Sequence, residues 1–194
     1  MTSFLTIILL LVSGSAALMI LLSTDWRWTI AGLAIQYLVA FLLVSRVWPL
    51  GLSAIKLVSG WLTCVLLSMS ATPDLFEEDS LSVRSARFFR LFSTLFILMI
   101  VMAVAPGINA WLPIPYDHLL TGLLMIGMGI LQMGFSQIHF KIMLGLLSLL
   151  IGFEILYAPL EGSALLAAIL AGITLALGLI GSTILRRGLM RRDS

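Results

Sequence analysis

The sequence predicts an all-α, polytopic membrane helix bundle of about seven transmembrane helices, and three observations carry that prediction. Of the 194 residues, 61% are hydrophobic and only 10% charged, with a mean hydropathy of +1.16. A soluble domain carries roughly 25% charged residues, so this composition leaves too few polar groups to cover a surface facing water. The apolar runs are solid for about 18–23 residues, the length a helix needs to cross a bilayer, and lack the alternation of a barrel strand. The basic residues, finally, fall almost entirely on one set of connecting loops, as they do in multi-pass proteins.

Seven runs qualify as spans: 4–22, 28–45, 50–70, 91–112, 119–136, 142–160 and 163–185. The first reads as a retained helix rather than a secretory signal, because no Lys or Arg precedes Arg27 and the apolar run continues to Leu22. The fourth is continuous to Val104, after which Pro106-Gly107 should kink or end it. The fifth carries Gly122, Gly127, Gly129 and Gly134 on no single stripe, and the seventh carries Ala164, Ala168, Gly172 and Ala176 at four-residue spacing. Small residues let helix backbones approach closely, so both helices are expected to pack within protein. Between the sixth and seventh spans, Pro159 and Gly162 allow a sharp reversal. Trp26, Trp28, Trp48, Trp111 and Tyr116 fall at span ends, as an interfacial aromatic belt requires.

These spans divide the chain into a four-helix N-terminal region (1–112) with a polar loop at 71–90, a three-helix module (119–187) and a short basic tail (188–194). In the loop, Arg84, Arg87 and Arg90 recur every third residue, which puts them on one helical face and suggests an interfacial amphipathic turn. It is either a solvated connector or a surface on which a partner docks. With the C-terminus in the cytoplasm, Arg27, Arg84, Arg87, Arg90, Lys141, Arg186, Arg187, Arg191 and Arg192 are inside and only Arg46 is outside, nine against one. The positive-inside rule therefore orients the C-terminus inward, and an odd number of spans leaves the N-terminus outside.

Several function classes drop out. A lone cysteine, Cys64, excludes an internal disulfide framework and a multi-thiolate metal site. A net charge of +2 is too small to point to nucleic acid. His118 and His139 sit at opposite ends of the fifth span, roughly 30 Å apart along a helix, so they cannot share a haem iron. No nucleophile, zinc or phosphate-loop motif is present, so neither intrinsic catalysis nor a cofactor is expected.

What remains are ionisable groups placed where lipid makes charge costly. Lys56 lies six residues from the outer start of the third span and Glu154 six from the outer end of the sixth. Both are thus roughly 9 Å below the same boundary, and a pair is possible if their helices are neighbours. Each has a simpler explanation, snorkelling for Lys56 and a protonated, hydrogen-bonded carboxyl for Glu154. The functional alternative is that they bind or relay a cation or proton. Gln36, Asn109 and Gln132 are neutral polar groups within spans, suited to interhelical hydrogen bonds. Gln36 and Gln132 are also candidates for a polar path to Glu154.

The sixth span reads Leu150-Ile151-Gly152-Phe153-Glu154-Ile155-Leu156. This resembles the glutamate-bearing helix of the small K-type membrane subunit of respiratory complex I, whose pattern is apolar, Gly, apolar, Glu, Ile, apolar. The resemblance extends over 119–187, including the basic connector with His139 and Lys141 before that helix and Arg186-Arg187 after the next. In length and span count the whole chain is similar to the E-type membrane subunit of group 4, formate-hydrogenlyase-type hydrogenases. The resemblance implies a subunit of a complex I-like assembly in a prokaryotic cytoplasmic membrane, partnered by antiporter-like or hydrogenase-type subunits, in a fold that helps conduct protons or sodium ions. It carries over Glu154 alone. The K-type family has a second glutamate midway along its third helix, where this chain reads Ala167-Ala168-Ile169-Leu170-Ala171-Gly172. Competing readings are a structural or assembly subunit with no ion path and a small autonomous transporter, although no internal repeat supports the latter.

Overall fold

A computed structural model of the chain describes the backbone of residues 2–23, 25–71, 83–136 and 139–192, and the side chains of these except residues 2, 3 and 5 in the first helix, 83–86 in the fourth and 186–192 in the seventh. Among these residues the regular secondary structure is all α-helix, with no strand. The elements are α1 (Thr2–Leu22), α2 (Trp26–Val44), α3 (Leu50–Ser68), α4 (Val83–Trp111), α5 (Tyr116–Phe135), α6 (His139–Tyr157) and α7 (Ala164–Arg192). Helices α2 to α7 are long and apolar enough to cross a bilayer, whereas the apolar part of α1 counted on the same terms, Thr6–Leu22, is shorter. The chain is therefore a multi-pass membrane protein by length and composition.

Six of the helices form a lattice of two columns and three rows. In one column α1 packs on α2 and α2 on α3, while in the other α5 packs on α6 and α6 on α7. The rows pair α1 with α5, α2 with α6 and α3 with α7. Two four-helix cells result, one enclosed by α1, α2, α5 and α6 and the other by α2, α3, α6 and α7. Helix α4 stands outside the lattice, against α5 and slightly against α1. The expected four-helix N-terminal region is thus not a packing unit, because α4 uses its buried Val101 and Ala105 on Leu119 and Leu120 of α5.

Glycines set the tightest contact. A Cβ on Gly129 would stand 2.6 Å from the Gly145 carbonyl oxygen, and one on Gly152 would stand 2.6 Å from the Gly122 carbonyl oxygen. Gly122 and Gly129 in α5, and Gly145 and Gly152 in α6, are each seven residues apart, which returns to nearly the same helix face. The two backbones therefore touch along a seam that any side chain would wedge open.

Three expectations need correction. The stripe Ala164, Ala168, Gly172 and Ala176 is exposed, and α7 packs instead through Ala167, Ala171, Thr174, Gly178 and Gly181. The helix has small residues on two adjacent faces, and only the partner's shape selects between them: Gly178 receives Thr63 and Gly181 receives Leu67 of α3. In keeping with the span expected at 91–112, helix α4 runs through Pro106 to Trp111. Proline removes one backbone bond, and here its ring lies on the exposed face while Ala105 beside it anchors the helix in α5. The polar loop is shorter than expected, because α4 already begins at Val83, and the basic tail up to Arg192 continues α7. Trp48 does not belong to the aromatic belt either. It is buried and its indole N–H donates to the Ala158 carbonyl at 2.8 Å, whereas Trp28 and Trp111 are exposed as a belt requires.

Candidate functional site

Lys56 and Glu154 meet in the α2–α3–α6–α7 cell. Pro49 sets the start of α3 with φ −55, and two turns later the inward face reads Ser53, Lys56, Ser59, Gly60 and Thr63, all buried. The glutamate comes from the inward face of α6, beside Ile151 and Ile155. Lys56 Nζ lies 2.6 Å from Glu154 Oε1, with side-chain accessibilities of 3% and 2%. Helices α3 and α6 are diagonal across the cell, and the long lysine stem closes the gap between them. The two heads face each other inside the bundle, so the Lys56 ammonium is engaged by the carboxyl of Glu154 rather than directed away from the helices.

The other two helices complete the cell. Tyr37 of α2 is buried, lies within electrostatic range of Glu154 and is close to Thr174 of α7. Its hydroxyl nevertheless finds no partner of good hydrogen-bond geometry among the described residues. The Thr174 hydroxyl donates to Leu170 O, and Thr63 donates to Ser59 O and, at 3.2 Å, to Thr174 O. The ring of Tyr37 occupies the space beside Gly60, where a Cβ would come within 2.2 Å of it. Gly60 is thus required for the tyrosine to enter the cell.

The second cell is also polar at its centre and takes one group from each of its helices. Ser148 of α6 donates to Gln36 Oε1 of α2 at 2.7 Å and makes a longer contact of 3.4 Å with Gln132 Oε1 of α5. Gln132 Nε2 donates to Ala17 O of α1 at 3.3 Å. All three side chains are buried, and Gln36 Nε2 has no partner among the described residues. The structure therefore brings Gln36 and Gln132 together through Ser148, in a cluster distinct from Lys56 and Glu154. Asn109 joins neither, being exposed near the end of α4.

No family model matches the chain, and no curated protein and no solved structure matches it.

The arginines of the polar loop divide. Arg84 lies outside the residues whose side chains are described. Arg87 is exposed and lines a shallow groove with Trp28, Leu18 and Met19. Arg90 donates at 3.3 Å to Leu21 O in the last turn of α1, where a helix end favours positive charge. Part of the expected docking face is therefore an internal clamp.

A third polar group was not anticipated from the sequence. Arg46, the single basic residue of its loop, pairs with Asp117 at 2.6 Å. The carboxylate also lies 3.0 Å from His118 Nδ1, whose Nε2 lies 3.0 Å from Leu43 O. With the Trp48 bond, these contacts tie the α2–α3 turn to the ends of α5 and α6. Ser148 and Tyr37 were missed because a lone serine in an apolar helix usually bonds its own backbone, as Ser13 does with Leu10 O, and a buried tyrosine ordinarily reads as core.

Proposed function

We propose that this chain is a non-catalytic membrane subunit of a proton- or sodium-translocating assembly of the complex I or group 4 hydrogenase kind, with Lys56 and Glu154 as its charge site. The observation that carries the reading is the enclosed ion pair between diagonal helices, 2.6 Å long. Burying two charges costs several kcal/mol per ion, and well-packed apolar residues of similar volume would hold the same helices together at no greater cost. A bundle that retains the charges has a use for them, and intramembrane ionisable pairs serve ion and proton pathways by default. The lysine also supplies a second ionisable group in a chain whose seventh span lacks the glutamate of the K-type pattern.

The pair can carry one proton per cycle. A proton added to the Glu154 carboxylate gives the acid and leaves the Lys56 ammonium buried without a counter-charge. The ammonium then releases its proton to the outer side, and transfer of the carboxyl proton to the neutral amine restores the pair. One proton enters, one leaves, and both groups end as they began.

Two further features support the subunit reading. Helix α4 has only 11% of its apolar window buried, so it offers a broad face to lipid or to neighbouring subunits. The nine-to-one distribution of basic residues supports a cytoplasmic Lys141 end, and an impermeant maleimide should accordingly label Arg46→Cys from outside intact cells but not Ser194→Cys.

The deciding experiment is purification in mild detergent followed by assay of the assembly obtained. Recovery with antiporter-like or hydrogenase-type subunits, and loss of ion pumping in Glu154→Gln with assembly intact, are the expected results. Recovery of a lone chain, or normal pumping by the variant, would overturn the reading. The closed geometry of the pair favours one alternative, a purely structural tie, which predicts that Lys56→Met/Glu154→Gln assembles and pumps like the parent.

A further inference from the structure

We propose that the ion handled at Glu154 is the proton, and that it reaches the carboxylate from the Lys141 end through the hydroxyls of Ser148 and Tyr37 and water held between them by Gln132 and Gln36. This rests on the proposed function and names both its ion and its route.

The choice of ion follows from the charge already resident in the site. A sodium site is built of several converging oxygens, and an ammonium 2.6 Å from the only buried carboxylate among the described residues repels a metal cation from that place. Exchange of protons between carboxylate and amine requires no added ligand and no wider space.

The route follows from the two cells. Gln132 borders a narrow cleft at the Lys141 end, shared with Arg90, Ser136 and Lys141, whose free volume of about 10 Å³ is roughly that of one water probe. From there the polar contacts continue at Ser148, whose hydroxyl donates to Gln36 Oε1 at 2.7 Å and lies 3.4 Å from Gln132 Oε1. Glu154 is six residues further along α6 than Ser148, roughly 9 Å. Helix α2 bridges that interval on the other wall, since Gln36 contacts Ser148 and the next residue, Tyr37, faces the Glu154 cell. At this junction, on side chains more than nine-tenths buried, Gln36 Nε2 has no partner among the described residues and the Tyr37 hydroxyl, close to Thr174, has none of good hydrogen-bond geometry. Buried polar groups are almost always satisfied by protein or by ordered water. Two unsatisfied groups on consecutive residues, between two polar clusters, mark where water links the clusters. Hydroxyls of Ser148 and Tyr37 and the intervening water can each accept a proton on one side and release one on the other, so charge moves while the heavy atoms stay in place; the Gln132 and Gln36 amides orient these carriers and take up no proton themselves.

The test is hydrogen–deuterium exchange at the site in the full-length protein, reconstituted in lipid vesicles and followed by infrared difference spectroscopy, with Glu154→Gln assigning the carboxyl band. After transfer to D₂O, Ser148→Ala and Tyr37→Phe should each slow exchange by about tenfold or more, the factor for loss of about one hydrogen bond from a path. Replacing potassium by sodium at constant pH should leave the carboxyl band unmoved. Exchange as fast in both variants as in the parent, or a carboxyl band shifted by sodium, would overturn the proposal. Those results leave the subunit reading standing if Glu154→Gln still abolishes pumping. Normal pumping by Glu154→Gln alongside slowed exchange would sink the subunit reading and keep the route.

Discussion

At the residue scale, the Lys56–Glu154 pair is a commitment by two side chains that neither can leave alone. Glu154→Gln removes the negative charge and strands an ammonium with 3% accessibility. Removing one partner of a buried pair typically costs about 3–5 kcal/mol, whereas replacing both by apolar groups of similar volume is often neutral. Lys56→Met should therefore destabilise less when combined with Glu154→Leu than when made alone. Thermal unfolding of the four proteins in detergent measures this, and strictly additive effects would show that the two heads do not interact. The sequence exposed this site because charge in a greasy run is conspicuous and depth can be counted along a helix. It did not show that diagonal helices would be joined, since helix order around a bundle leaves no trace in hydropathy. Tyr37 and Ser148 were hidden for a related reason: a hydroxyl becomes informative only once its neighbours are known.

At the scale of the element, the seven apolar runs predicted the helices to within a few residues at most ends, because lipid demands that length and no more. The largest differences are at the outer limits of α4 and α7, where helical bonding persists past the apolar run into basic sequence. Packing faces were less legible. Small residues on α7 pointed to the wrong stripe, whereas the glycines of α5 and α6, scattered to the eye, pair up once the seven-residue intervals are laid face to face. Gly129→Ala should cost about 1–3 kcal/mol, the usual range for overpacking, because its nearest obstacles are backbone atoms of Gly145 and Leu149. Gly172→Ala, with nothing within 4 Å of the new methyl, should leave unfolding temperature unchanged or slightly raised. Equal losses in the two variants would contradict the assigned faces.

On the scale of the whole molecule, the connection between the first three helices and the rest matters less than the faces they share. Row by row, α1 meets α5, α2 meets α6 and α3 meets α7. The Arg46–Asp117 pair and the Trp48–Ala158 bond lock one end of that contact. If cohesion resides in these faces, a chain severed between Ser70 and Val83 should reassemble when its two pieces are made in the same cell, with an affinity tag on either piece retrieving the other. The covalent join would then act as a tether that sets stoichiometry, and the boundary between the two triplets would behave as a subunit interface folded into one polypeptide.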